Sequence, residues 1–241
     1  MSTGDGPDVT EHVPARPEPL QPVALGRRAT GASPLRLGVL ASGRGTNLQA
    51  ILDACVNREV PARVVLVISD KPQAQALERA RAAGVLAEYH DPRIHPGRAS
   101  YDRHLADRLE EAGVELVCLA GFMRILGSAF VERFRHRILN IHPSLLPAFP
   151  GKDAQRQALE HGVKVSGCTV HLVDEGVDTG PIVLQAAVPV LEGDTEESLA
   201  ERILQHEHRL YVEAIRLYAA GRLQLEGRRV RIVPGGAGQG T

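Results

Sequence analysis

From Leu35 onward, short continuous apolar runs alternate with segments whose apolar residues recur at helical spacing. Leu35–Ala41 reads as a strand ended by the glycine loop Ser42-Gly43-Arg44-Gly45-Thr46-Asn47, after which Leu48, Ile51, Leu52 and Cys55 form one face of a helix. Val64–Ile68 is a second buried strand, Ala74–Ala83 an alanine-rich helix closed by Gly84, and Val85–Ala87 a third strand. A helix from about Ser100 to Ala112, stopped by Gly113, leads to the strand Leu116–Ala120. Strands separated by helices join through right-handed crossovers, so this half predicts a parallel, doubly wound sheet.

The pattern changes at Ile138-Leu139-Asn140-Ile141-His142-Pro143-Ser144-Leu145-Leu146-Pro147. Strand period puts Asn140 and His142 on one face and Leu139 and Ile141 on the other, while the two prolines turn the strand's end into an extended loop. Gly151–Gly162 holds a short helix. Val165–Val173 alternates as a strand, and Ile182–Val190 returns after a short loop, which predicts an antiparallel pair. Thr195–Tyr218 is the longest helix, opened by a weak capping box between Thr195 and Ser198. Arg222–Val233 makes a small hairpin around Gly227. The expected class is therefore α/β, a doubly wound and mostly parallel sheet with a C-terminal antiparallel strand pair and a long C-terminal helix. A single domain is expected over residues 35–233. Residues 1–34, rich in Pro, Gly, Ala and charge and without period, are expected to be a disordered tail, as are residues 234–241.

Composition narrows the function classes. With 28 Lys+Arg against 29 Asp+Glu the formal net charge is −1, which leaves no basic field for a long nucleic acid and makes small ligands the default. The 3 cysteines, Cys55, Cys118 and Cys168, are far apart and form no Cys-x-x-Cys pair, which argues against a disulfide framework or structural zinc and fits a reducing cytoplasm. No apolar run is long enough to span a membrane, so no membrane partner is expected. Gly26-Arg27-Arg28-Ala29-Thr30 resembles a targeting segment, but Asp5, Asp8 and Glu11 count against a transit peptide.

Three stretches carry candidate chemistry. An amide and an imidazole at a strand's carboxyl end, Asn140 and His142, suit hydrogen-bond donation and proton transfer, although the same pair could cap a turn and pack on its prolines. The glycine loop exposes backbone N–H groups at a helix N-terminus, which favours a phosphate. Gly43 and Gly45 fit a dinucleotide fingerprint, but Leu48 stands at the third glycine position, so a single phosphate fits better. The third is Asp178, in the acid- and glycine-rich loop Asp174–Pro181, which reads either as a turn aspartate or as a carboxylate that orients His142 and holds it charged. Asp70 ends the second strand in Ser69-Asp70-Lys71-Pro72 and reads as a turn former ahead of a ribose ligand. His206-Glu207-His208 lacks the His-Glu-x-x-His spacing, so no metal site is expected.

Taken together, Ala41–Ala50, Ala120–Leu126, Asn140–Pro147 and Asp178–Pro181 closely resemble the phosphoribosylglycinamide formyltransferases, folate-dependent enzymes of purine biosynthesis, over about Arg36 to Leu225. The Asn-x-His-Pro-Ser block alone is shared with methionyl-tRNA formyltransferases and formyltetrahydrofolate deformylases. The glycine loop followed by Thr-Asn-Leu-Gln points to the ribonucleotide enzyme. The resemblance implies a Rossmann-like formyltransferase fold, with residues 35–135 binding the ribonucleotide phosphate and residues 136–233 the folate and the reacting groups. It implies Asn140, His142 and Asp178 as the catalytic trio, and Gly45, Thr46, Asn47 and Glu207 as ribonucleotide contacts. Arg98, the backbone of Met123, Arg124, Ile125 and Leu126, and the loop Asp174, Glu175, Gly176, Val177 and Asp178 match the folate site, which Asn140 also borders. The implied co-substrate is 10-formyltetrahydrofolate and the acceptor glycinamide ribonucleotide, with no metal required and the chain a monomer or homodimer. The sequence departs from the family at Lys152-Asp153-Ala154-Gln155, which replaces a commonly histidine-bearing segment, and at Val212, where a proline usually follows the tyrosine.

Overall fold

The computed structural model describes residues 21–26 and 33–234. In chain order the elements are β1 (Val23–Leu25), β2 (Leu35–Leu40), α1 (Thr46–Val56), β3 (Ala62–Ser69), α2 (Gln75–Ala82), β4 (Leu86–Tyr89), α3 (Arg98–Glu111), β5 (Leu116–Leu119), α4 (Ser128–Arg133), β6 (Ile138–His142), α5 (Ala154–Glu160), β7 (Val165–Leu172), β8 (Ile182–Pro189), α6 (Glu196–Ala219), β9 (Leu223–Glu226) and β10 (Arg229–Ile232). No helix among the described residues is long and apolar enough to cross a membrane.

The main sheet has seven strands in the order β4-β3-β2-β5-β6-β7-β8. Strands β4 to β6 run parallel, and β7 and β8 add to β6 antiparallel. From β2 the chain winds outward through β3 to β4, then returns to β5 on the other side of β2. The order thus reverses between β2 and β5, and the crevice outside their carboxyl ends is where ligands bind in such sheets. Helices cover both faces. Leu37 and Val39 of β2, Leu116 and Cys118 of β5, and Leu139 and Ile141 of β6 pack in one core with residues of α1, α2 and α6. Leu40, Val117, Leu119 and Ile138 face the other way into a second core with α3 and α4. The period-2 expectation for β6 therefore holds, and Asn140 and His142 lie on the face opposite Leu139 and Ile141.

Helix α6 is the clamp across this arrangement. The Thr195 hydroxyl accepts the Ser198 N–H at 3.2 Å and the Ser198 hydroxyl accepts the Thr195 N–H at 3.0 Å, so the capping box is complete. Deep in the core the Tyr211 hydroxyl sits 3.1 Å from Leu119 O and 2.9 Å from Leu139 O, joining the helix to the ends of β5 and the middle of β6.

The structure departs from the sequence reading in two elements. Strand β1 lies inside the segment expected to be a tail: it pairs antiparallel with β9, and β9 with β10, as a separate three-stranded sheet. Leu25 is only 2% exposed there. Gly26 has φ +79°, and a Cβ on it would stand 1.8 Å from Tyr218 O, so only glycine lets the strand leave so close to the end of α6. The rest of that segment, residues 1–20 and 27–32, lies outside the described residues, as do residues 235–241. Helix α4 was not expected either; its Phe130 and Val131, with Phe134 just past its end, seat it on the second core.

Candidate active site

Asn140 and His142 stand one residue apart on the same face of β6, and Asp178 reaches both from the loop between β7 and β8. Asn140 Nδ2 donates to Asp178 Oδ1 at 3.3 Å, and Asp178 Oδ2 is 3.3 Å from His142 Nδ1. The backbone supports this placement: Asp178 has φ +54°, a left-handed conformation that an aspartate tolerates better than most residues, and the Gly151 N–H donates to its Oδ2 at 2.8 Å. The Phe149 carbonyl, in the loop that leads from β6 to α5, faces His142 Nε2 at 2.8 Å. That nitrogen therefore carries a proton, and each ring nitrogen looks at an acceptor.

A fourth residue joins the trio. His171 pairs with Asn140 across the β6–β7 ladder, and its Nδ1 donates to Leu172 O at 2.8 Å. That leaves the lone pair of Nε2 to accept from Asn140 Nδ2 at 3.1 Å, with Asp178 Oδ1 at 3.5 Å. The amide N–H groups are thus shared over two bonds longer than the usual ~2.9–3.0 Å, so neither acceptor holds them tightly. In the sequence His171 falls within the alternating strand Val165–Val173 and was given no role. Its alternation with Thr169, opposite Asn140 and His142, was the available signal.

Electrostatics corrects one expectation. Burial lowers the His142 pKa, and the Phe149 carbonyl and the Asp178 carboxylate only partly restore it, so the imidazole titrates below its ordinary value rather than above it. For Asp178, burial pushes the carboxyl up, but the Gly151 N–H it accepts and the neighbouring His171 and His142 rings outweigh it and leave the group more acidic than usual.

The glycine loop follows β2 at the sheet's carboxyl edge. Gly45 caps α1 with φ +69°, and a Cβ there would stand 2.7 Å from Ala76 Cα, so the close approach of α2 demands glycine. No side chain caps this helix, which leaves the N–H groups at Thr46 and Asn47 available to an anion. Asn47 Nδ2 donates to Glu207 Oε2 of α6 at 2.8 Å, and Asn47 Oδ1 is buried with no partner. Burial raises the Glu207 pKa, against the Asn47 bond and the charge of Arg44.

Of the residues matched to folate binding, Arg98 and Met123–Leu126 follow β4 and β5 at the same edge, whereas Asp174–Gly176 follow the antiparallel β7 and lie beside the start of β6. Met123 and Ile125 are exposed at 62% and 55%, whereas Leu126 is buried. Arg124 lies 5.2 Å over the Tyr101 ring, and Arg98 opens α3 with its Nε 4.0 Å from Asp102 Oδ2. Asp174 Oδ1 accepts the Gly176 N–H and the Thr179 hydroxyl, which curls the loop before Asp178. Asp174, Glu175 and Gly176 border a cavity of about 380 Å³ with Val131, Leu172 and Val173; Arg98, Met123–Leu126 and the trio do not line it. Val177 is exposed at 44%. Among the described residues no group of three or more His, Cys, Asp or Glu side chains could hold a metal ion.

The formyl transferase family matches residues 35–215. The chain is 44% identical over 191 residues to phosphoribosylglycinamide formyltransferase of Escherichia coli (strain K12), covering 79% of this chain and 90% of that protein. It is 52% identical over 191 residues to the trifunctional purine biosynthetic protein adenosine-3 of Drosophila pseudoobscura pseudoobscura, a match that covers 78% of this chain and 14% of that longer relative's length. Among solved structures, glycinamide ribonucleotide transformylase 1 from Symbiobacterium toebii superposes with a TM-score of 0.83 at 64% identity, covering 84% of this chain and 96% of that one.

Proposed function

The chain belongs to the formyl transferase family, and we propose on that premise that it transfers the formyl group of 10-formyltetrahydrofolate to the amine of glycinamide ribonucleotide. The observation that carries the reading is the convergence of Asn140, His142 and Asp178, within 3.3 Å of one another through the carboxylate, beside the crevice where the strand order reverses. The glycine loop supports a phosphate site, because the uncapped first turn of α1 and the unpartnered Asn47 Oδ1 together offer donors and an acceptor to a phosphorylated sugar. Glu207 orients Asn47 and contacts the same substrate. Residues 35–135 thus supply the phosphate-binding loop and part of the folate wall, and residues 136–233 the reacting groups, Glu207 and the rest of the folate site.

The substrate amine attacks the formyl carbon, giving a tetrahedral oxyanion; the bond to the folate nitrogen then breaks as that nitrogen gains the proton the amine gives up. Asn140 donates an N–H to the oxyanion, exchanging its long bonds to His171 and Asp178 for a shorter one. His142, with acceptors at both ring nitrogens, takes up the proton in transit, and Asp178 holds the resulting imidazolium. Arg98, Met123–Leu126 and Asp174–Val177 hold the folate, which acts as co-substrate. The chemistry places no demand on a metal ion.

Tetrahydrofolate release from 10-formyltetrahydrofolate, followed with and without glycinamide ribonucleotide, tests this. Release only with the ribonucleotide is expected; release at the same rate without it is deformylation and refutes the transferase reading. Asn140→Ala should lower kcat ~10²–10³-fold while folate affinity, measured by titration, changes far less.

A further inference from the structure

Ser42 is where the loops after β2 and β5 touch, and the group that fixes it comes from a third loop. The Ser42 hydroxyl donates to Asp70 Oδ1 at 2.6 Å, which turns its lone pairs toward the Met123 N–H, accepted at 2.9 Å. The Ser42 N–H donates to Gly121 O at 3.0 Å in the same loop. Asp70 Oδ2 lies 4.0 Å from Arg124 Nη1, and Arg124 rests on Tyr101, whose hydroxyl donates to His90 O at 3.2 Å, ahead of the turn that leads to Arg98.

Asp70 was read from the sequence as a turn former, but the turn is served by its neighbour: the Lys71 N–H donates to the Ser69 hydroxyl at 3.1 Å. Asp70 itself is 4% exposed. A buried carboxylate is costly unless charge and hydrogen bonds compensate it, and its partners here belong to the other two loops at the point where the strand order reverses.

We propose that Asp70 is a positioning residue for both substrates at once: through Ser42 it sets the spacing between the glycine loop and the Met123–Leu126 wall. This rests on the reading of those loops as the ribonucleotide and folate sites. Reacting atoms must meet at ~3–3.5 Å, and a misplacement of about 1 Å costs ~10²-fold in rate. Loosening the spacing therefore displaces each reactant relative to the other.

Steady-state kinetics with glycinamide ribonucleotide and 10-formyltetrahydrofolate on the full chain and on Asp70→Ala, Asp70→Asn and Ser42→Ala tests it. In Asp70→Ala and Ser42→Ala, kcat should fall roughly tenfold or more, a sizeable part of the ~10²-fold above, while the KM for each substrate changes far less. Asp70→Asn, whose amide oxygen still accepts from Ser42, should recover most of the loss. Ser42→Ala keeps the backbone bond to Gly121 and covers the case in which Asp70→Ala does not fold. An unchanged kcat, a loss that appears wholly as a raised KM for one substrate, or an Asp70→Asn as impaired as Asp70→Ala would each overturn the proposal. A wild-type chain with no formyl transfer fails the functional reading first, a result distinct from any of these.

Discussion

Two carbonyl or carboxylate oxygens face the two nitrogens of His142, an arrangement that favours the imidazolium, while burial favours the neutral ring and prevails. The consequence is a histidine that is neutral at physiological pH yet has acceptors in place for a second proton. Asp178 is one of the groups that raise the His142 pKa, so Asp178→Asn should lower that pKa further. Titration of the His142 ring protons by NMR reads the shift directly, and an upward or absent shift would contradict the assigned contact. Glu207 gives a second pH signature. Its folded pKa is raised by burial, so the folded state holds its proton more tightly than the unfolded chain; the stability it adds is complete below the ordinary glutamate pKa and is lost as pH rises through the folded value. Glu207→Gln removes that titration, so its stability, followed by urea unfolding at a series of pH values, should fall less than wild type across that window.

At the scale of elements, what the sequence made legible and what it did not follow from how local each signal is. The parallel strands β2, β3 and β5 and helices α1, α2 and α3 are each announced by their own apolar period, and β2, β5, α2 and α3 are closed by glycines within a few residues. Strand β1 has no such signal. Val23, Ala24 and Leu25 are too few to show a period, and they become ordered by pairing with Leu223–Leu225 at the other end of the chain. Helix α4 is six residues long, too short for its buried Phe130 and Val131 to repeat. Leu25→Ala leaves a hole where the small sheet meets the core and should cost about 2–5 kcal/mol, and deletion of residues 1–26 at least as much. Equilibrium denaturation checks both; a deletion with wild-type stability would show that β1 adds nothing to the fold. Thr195→Ala, which opens the capping box of α6, should cost about 1 kcal/mol in the same measurement.

At the scale of the whole molecule, the site is an assembly of distant segments. Asn140 and His142 were legible as a pair because strand period places them on one face, and Gly45 because the loop it ends is strand-glycine-helix. Asp178 was a candidate on residue grounds with two readings open, and only the family resemblance placed it in the trio, since nothing local says which way a loop carboxylate turns. His171 and the buried Asp70 were given no site role, because their parts depend on a cross-strand partner and on two neighbouring loops. The sheet's reversal between β2 and β5 brings the glycine loop beside Met123–Leu126 and, through β6, beside the trio. That proximity makes direct transfer between two bound substrates the economical chemistry for this arrangement. The most direct test follows the formyl carbon itself: the chain is given 10-formyltetrahydrofolate carrying labelled carbon in the formyl group, together with glycinamide ribonucleotide, and the products are separated. The account predicts the label on the amine nitrogen of the ribonucleotide in one-to-one yield with tetrahydrofolate; label recovered as free formate, with the ribonucleotide unchanged, would contradict it.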